Sequence, residues 1–223
     1  MLYYFRKKHM GRKMKPTQSD LEKQIIKAVA ILKNGGVVAY PTDTVYGLGA
    51  SMTDINAVDR IFQVKGRPKG MALPVLLADK QQIAEIVKMF SPAARQLADA
   101  FFPGALTIIL PKSASVSDIV TGGGKTIAFR IPDHPVPLAL IKGLGTPIVG
   151  TSANLSGHPS ALTAEEVISQ IGDKIDMVVD GGRCPGGVES TVIDLSGEKP
   201  VIRRQGAVTI EQLRKILPDI VLA

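Results

Sequence analysis

The sequence predicts an α/β fold built on a mixed parallel and antiparallel sheet covered by helices. Three observations carry that reading. Short apolar runs of strand length interleave with segments of helical periodicity, and several successive strand runs have no helix between them. No repeat, low-complexity stretch or Pro/Ser linker divides residues 17–223, so one domain is the simplest count.

The elements follow in order. Ser19-Asp20-Leu21-Glu22 has the spacing of a capping box, and Leu21, Ile25, Ala28, Val29 and Leu32 continue at helical spacing. Gly35 and Gly36 end that helix. Val37-Val38-Ala39-Tyr40 is a buried-strand run that stops at Pro41. A second helix is expected from Asp54 to about Val64, with Ile55, Val58, Ile61 and Phe62 on one face. Residues 73–78 read as a strand, with helices near 79–89 and 91–101. Strands near 105–111 and 126–131, a short helix near 135–142 and a strand at 147–151 come next. Thr163-Ala164-Glu165-Glu166 opens another capped helix. Strands near 176–180, 189–194 and 200–204 precede a last helix near 209–216.

Composition narrows the function classes. With 45% hydrophobic and 21% charged residues, the 223-residue chain has the make-up of a soluble globular protein. Its single cysteine, Cys184, excludes an intramolecular disulfide framework and fits a reducing, cytoplasmic setting. No Trp and 4% aromatics argue against a base-stacking platform for single strands. No stretch of about 18 apolar residues is present, so no membrane span is expected. The formal charge of +7 invites a nucleic-acid reading. Six of those charges lie in residues 1–16 (Arg6, Lys7, Lys8, Arg12, Lys13 and Lys15, with no acid), which leaves the body nearly neutral. The tail lacks the apolar stretch of a signal peptide. It reads as a disordered extension, or an over-long start with Met10 and Met14 as alternative first residues, or an RNA-contacting arm.

Several tempting motifs fail. Gly122-Gly123-Gly124-Lys125-Thr126 lacks the glycine a P-loop needs five positions before Gly124, where Ile119 stands, so a flexible turn is expected. Gly47-Leu48-Gly49 lacks the third glycine of a dinucleotide fingerprint. Gly150-Thr151-Ser152-Ala153-Asn154 has Asn where a nucleophile elbow requires Gly. His9, His134 and His158 are scattered without zinc-ligand spacing.

Three polar clusters at element ends remain. Pro41-Thr42-Asp43-Thr44-Val45-Tyr46-Gly47-Leu48-Gly49 follows the first strand. Lys65-Gly66-Arg67-Pro68 ends the second helix, where its cations either complement the helix dipole or clamp a triphosphate, Arg67 as a fork of donors and Lys65 as a point charge. Thr151-Ser152-Ala153-Asn154-Leu155-Ser156-Gly157 follows the strand at 147–151. Each cluster taken singly is compatible with turn chemistry or with binding.

Their order and spacing resemble the YrdC-like family of L-threonylcarbamoyladenylate synthases. The resemblance covers residues 20–210 and includes PTDTVYGLGA, the Lys-x-Arg of Lys65 and Arg67, PGALTIIL, FRIPDHP, the Ser-x-Asn of Ser152 and Asn154, ESTVID and IRRQGAV. It implies a twisted open mixed sheet covered by helices with a large concave cavity, in a single-domain form at 17–223. It also implies a nucleotidyltransferase that joins L-threonine, bicarbonate or CO2, and ATP into threonylcarbamoyl-AMP and pyrophosphate, for the t6A modification of tRNA.

By resemblance, Thr42, Tyr46, Arg130 and Ser190 hold threonine, Arg130 through its carboxylate. Tyr46 is equally readable as a core aromatic with a satisfied hydroxyl. Lys65, Arg67, Thr107, Pro132, Ser152, Asn154 and Arg204 hold ATP, with Lys65 and Arg67 as the catalytic cations. Strand alternation points only one of Arg203 and Arg204 inward, and Arg204 is preferred because it precedes Gln205-Gly206 in the matching motif. Mg2+ is expected on the ATP phosphates, where Asp43 or Asp194 could assist, and no protein-ligated metal is evident. The implied partners are a downstream tRNA threonylcarbamoyl transferase complex and tRNA itself. Some relatives carry a histidine where this chain reads Leu73-Pro74-Val75-Leu76-Leu77, which leaves that side of the threonine pocket open. Two other readings stand beside this one. Carbamoyl adenylation for another acceptor, as in hydrogenase-maturation carbamoyltransferases, is disfavoured by length. A non-catalytic RNA-binding module of the same fold is the second.

Overall fold

The computed structural model describes residues 17–223, and the basic extension at 1–16 lies outside them. In chain order the elements are α1 (Gln18–Lys33), β1 (Val38–Tyr40), β2 (Gly47–Ser51), α2 (Ile55–Lys65), β3 (Val75–Leu76), α3 (Ile83–Ile86), α4 (Pro92–Phe101), β4 (Leu106–Pro111), α5 (Asp118–Thr121) and β5 (Thr126–Arg130). There follow α6 (Pro135–Leu144), β6 (Ile148–Ser152), α7 (Ala164–Ile171) with a 3₁₀ turn at Gly172–Lys174, β7 (Met177–Val178), β8 (Thr191–Asp194), β9 (Val201–Arg204), α8 (Ile210–Arg214) and β10 (Val221–Leu222). The strands form one sheet in the order β10-β9-β8-β4-β5-β3-β6-β2-β1-β7. The pairs β1/β7, β9/β10, β3/β5 and β4/β8 are parallel and the others antiparallel, which is the mixed sheet the sequence predicts.

Alternation along the strands divides the core between two faces. Ala39, Leu48, Val75, Val149, Ile108 and Phe129 face Val58, Ile61 and Phe62 of α2, Leu97 of α4 and Val167 of α7. Val38, Tyr40, Leu76 and Ile148 face Ala28 and Leu32 of α1 and Val136, Leu140 and Ile141 of α6. Burying a side chain of this size contributes roughly 1.5–3 kcal/mol. Arg130 is in register with Leu76, so it emerges on the α1/α6 face of the sheet.

Several local expectations need correction. The first capping box is Thr17 with Asp20, two residues earlier than Ser19 with Glu22: Thr17 accepts from the Asp20 amide while the Asp20 carboxylate takes the Thr17 N–H. Ile55 is the first residue of α2 and 56% exposed, so of the four expected residues Val58, Ile61 and Phe62 are buried, joined by Ala57 and Val64. The helix near 79–89 shrinks to α3 because Val87 bridges Lys112 and the Lys88 amide donates to Pro111 O, drawing the chain out straight. The strand at 73–78 shortens to β3. Gly47-Leu48-Gly49 is part of a five-residue strand, β2, not a loop. The segment at 122–126 is the turn the sequence predicts: Gly122, at φ 60°, caps the C-terminus of α5.

Candidate active site

Where α1 and α6 leave the sheet uncovered, a cavity of about 410 Å³ opens. Its wall collects residues from the β1–β2 loop, the end of α2, β3, β4, β5, β6 with the loop after it, the approach to β8, and the end of β9. Four cations line it, Lys65, Arg67, Arg130 and Arg204, against one carboxylate, Glu189.

At one end stands Arg130, the last residue of β5, with its side chain 7% exposed. It donates to Thr44 Oγ1 at 3.0 Å and Thr42 Oγ1 at 3.3 Å. It also donates to Asp43 Oδ2 at 3.3 Å and Gly104 O at 3.4 Å. Burial pushes its pKa down, and Asp43 opposes that shift. Thr42 is itself fixed by donating to Val45 O at 2.7 Å and accepting from the Thr44 amide. Tyr46 joins the wall, but its hydroxyl is committed to Gly182 O at 2.8 Å, so the core-aromatic reading holds for that group.

The opposite wall starts at the C-terminus of α2. Gly66 takes the left-handed conformation at φ 61°, a backbone that a residue with a side chain adopts at a cost. The Arg67 amide then closes onto Phe62 O at 2.9 Å. That turn sends Arg67 along the cavity, where its NH2 group donates to Ala72 O at 3.0 Å and its buried Nε has no partner. Burial, then Arg204, push the Arg67 pKa down. Lys65 is 3% exposed, and its ammonium turns to the 152–154 segment.

Asn154 folds the loop after β6 by donating to Leu155 O at 3.1 Å and His158 O at 2.6 Å. Thr107 of β4 and Ser190 share a hydroxyl–hydroxyl bond of 2.9 Å. Arg204 donates to Ser190 O at 3.1 Å and Ser190 Oγ at 3.2 Å, and bonds Glu189. Arg203, its neighbour, pairs outward with Asp194 at 2.9 Å, as strand alternation requires.

The cavity thus gathers Thr42, Tyr46, Lys65, Arg67, Thr107, Arg130, Ser152, Asn154, Ser190 and Arg204, but not Pro132, which is buried outside its lining. Thr44, His158, Ser160 and Glu189 also line it and were not singled out from sequence. Thr44 repeats the hydroxyl of Thr42 two residues on, and Glu189 stands directly before Ser190; those were the available signals. Of the acids considered for Mg2+, Asp43 gives Oδ2 to Arg130 while its buried Oδ1 has no partner among the described residues and lies outside the cavity lining, and Asp194 is engaged with Arg203 and Ser196. Among the described residues no group of three or more His, Cys, Asp or Glu converges. The lining therefore does not fit a protein-held divalent ion. Among the described residues no helix is long and apolar enough to cross a membrane.

The family model Sua5/YciO/YrdC, described as telomere recombination, matches residues 30–206. A threonylcarbamoyl-AMP synthase of Pyrococcus abyssi is 44% identical over 193 residues, covering 86% of this chain and 57% of that protein. One of Bacillus subtilis is 44% identical over 203 residues, covering 91% and 59%. The chain therefore spans a little under three fifths of the length of these two relatives. The crystal structure of P. abyssi Sua5 complexed with L-threonine superposes with a TM-score of 0.88 at 42% identity, covering 91% of this chain and 59% of that one. A mixed sheet with this cavity, a profile match across most of its length and that superposition agree: the chain belongs to the Sua5/YciO/YrdC family.

Proposed function

We propose that the protein is an L-threonylcarbamoyladenylate synthase, a nucleotidyltransferase that makes threonylcarbamoyl-AMP and pyrophosphate from L-threonine, bicarbonate or CO2, and ATP. The observation that carries this is the make-up of one cavity. A buried guanidinium ringed by hydroxyls, Arg130 with Thr42 and Thr44, lines the same space as Arg67 and Arg204, whose guanidiniums have different neighbours. The first fits an amino-acid carboxylate and the second a polyphosphate. The name of the P. abyssi relative, and its structure with L-threonine, support the reading.

In this mechanism threonine's carboxylate docks on Arg130, with Thr42 and Ser190 beside it. Its amine attacks CO2, forming an N–C bond and losing a proton to give a carbamate. A carbamate oxygen then attacks the α-phosphorus of ATP, and the bond to pyrophosphate breaks. Such a displacement depends mainly on alignment and charge neutralisation, so it suits a wall rich in guanidinium and hydroxyl groups. Arg67 and Arg204 offset the phosphate charge, and Ser152 and Thr107 orient the nucleotide. Mg2+ bound to the phosphates of ATP would add to the charge neutralisation that Arg67 and Arg204 supply. The product feeds a tRNA threonylcarbamoyl transferase complex in the cytoplasm.

The test is pyrophosphate release by the purified protein. Release that requires both threonine and bicarbonate, with threonylcarbamoyl-AMP identified by mass spectrometry, supports the synthase. Absence of that product alongside tight RNA binding establishes the non-catalytic module instead. Deleting residues 1–13 leaves adenylate formation intact if the tail serves only RNA.

A further inference from the structure

The Lys65 ammonium has three N–H bonds to give. Ser152 O at 2.5 Å, Asn154 O at 2.7 Å and Asn154 Oδ1 at 3.3 Å receive them. The residue is 3% exposed, and its own carbonyl accepts from the Ser156 amide at 3.0 Å. Asn154 is equally committed, because its Nδ2 serves Leu155 O and His158 O while its Oδ1 faces Lys65. Withdrawing the ammonium towards a ligand would take the donor from Asn154 O and Asn154 Oδ1, while Ser152 O would keep only the Asn154 amide at 3.0 Å. The other members of the two motifs are in the opposite condition. Among the described residues Arg67 Nε has no partner, and the Ser152 hydroxyl makes no hydrogen bond.

We propose that Lys65 and Asn154 are positioning residues that lock the 152–158 turn to the end of α2, while Arg67 and Ser152 make the ligand contacts. This deepens the nucleotide reading above and rests on it. The spacing of Lys-x-Arg and Ser-x-Asn then has a simple meaning. Each motif supplies one residue for the frame and one for the ligand, and the two frame residues bond each other.

The experiment uses the full chain with Lys65→Met, Lys65→Arg, Arg67→Met and Asn154→Ala, each checked for native circular dichroism. Backbone hydrogen exchange of residues 154–158 is measured without ligand, and ATP binding is measured by calorimetry. Lys65→Met and Asn154→Ala should each speed exchange across 154–158 and weaken ATP by about tenfold, with the double variant no worse than either single, as coupled residues behave. Arg67→Met should leave exchange unchanged and combine additively with Lys65→Met. Lys65→Arg should fail to rescue, because a planar fork does not fit three converging oxygens. Retained ATP affinity in Lys65→Arg, or unchanged exchange in Lys65→Met, overturns the proposal. If the wild-type protein binds no ATP, the nucleotide reading falls, and the exchange measurement still decides whether Lys65 pins the turn.

Discussion

Glu189 bonds Arg204 through one carboxylate oxygen and the Ser160 hydroxyl through the other, the latter at 2.8 Å. The single acid on the cavity wall is therefore spent on ties between β9, the approach to β8 and the loop after β6. It occupies Arg204 much as a phosphate oxygen would.

Replacing this internal anion should favour an external one. Glu189→Gln is expected to tighten pyrophosphate and ATP by about two- to fivefold at low salt, since half-exposed pairs of this kind are worth up to about 1 kcal/mol. Calorimetry at two ionic strengths checks it, and the gain should shrink as salt screens the cavity. A loss of affinity in Glu189→Gln would mean that the carboxylate orients Arg204 instead of competing for it.

Among the described residues Asp43 is the one acid that pairs with Arg130, with side chains 13% and 7% exposed. Removing one member of a buried pair strands the other, so Asp43→Asn should cost about 3 kcal/mol and lower Tm by several degrees. L-threonine would supply a replacement carboxylate. Its stabilisation, read by thermal shift, should be larger in Asp43→Asn than in the wild-type protein. Equal shifts would show that the amino-acid carboxylate binds elsewhere.

The Lys65 ammonium gives a pH signature. Burial, then Arg67, push its pKa from 10.5 down to about 8, against the opposing pull of Glu189. As the pH rises through about 8 the amine loses its charge and one donor, and the turn it holds should loosen. ATP affinity should fall with an inflection near that pH, and Lys65→Met should show no inflection there. The stability contribution runs the other way. Below about 8 the residue is charged in both states and the folded chain carries the full desolvation cost. Between 8 and 10.5 the unfolded chain binds more protons, so this contribution rises with pH. The Tm difference between wild type and Lys65→Met should follow that window.

Gly206 sits where β9 leaves β8, and a Cβ there would lie 2.3 Å from Glu189 O and 2.6 Å from the Ser190 carbonyl carbon. Both obstacles are backbone, so Gly206→Ala should displace the end of β9, cost about 1–3 kcal/mol and carry Arg204 out of place. Gly197→Ala, with nothing within 4 Å, is the control and should leave stability and ATP binding unchanged. Urea titrations with ATP calorimetry on both variants make the comparison.

Much of this was legible from side-chain chemistry. Strands such as 105–111 and 126–131 announce themselves because Ile, Leu and Phe alternate or run together. β2 was not legible, because Gly47 and Gly49 remove one phase of the alternation. Those glycines leave room for Tyr40, whose ring and hydroxyl occupy the space their side chains would take. Strand parity said that only one of Arg203 and Arg204 points inward, and the motif around Gln205-Gly206 chose Arg204; in the structure Arg203 pairs with Asp194 while Arg204 reaches Ser190. Glu189 and Ser160 escaped notice because their roles arise from a tie across 29 residues of chain that no local pattern encodes. Lys65 was legible as a site residue, but which way its ammonium points depends on where two carbonyl oxygens come to rest.

The cavity wall draws on residues from Thr42 to Arg204, and the strands that carry them join only when β4 meets β8 and β2 meets β6. Those pairings join residues far apart in the chain, Leu106 with Thr191 and Gly47 with Ser152, so the site is assembled from distant segments. A ligand held there is bound by the completed sheet as a whole. Its binding energy should accordingly slow exchange in the most protected strands as well as at the rim, making substrate occupancy a global brake on unfolding.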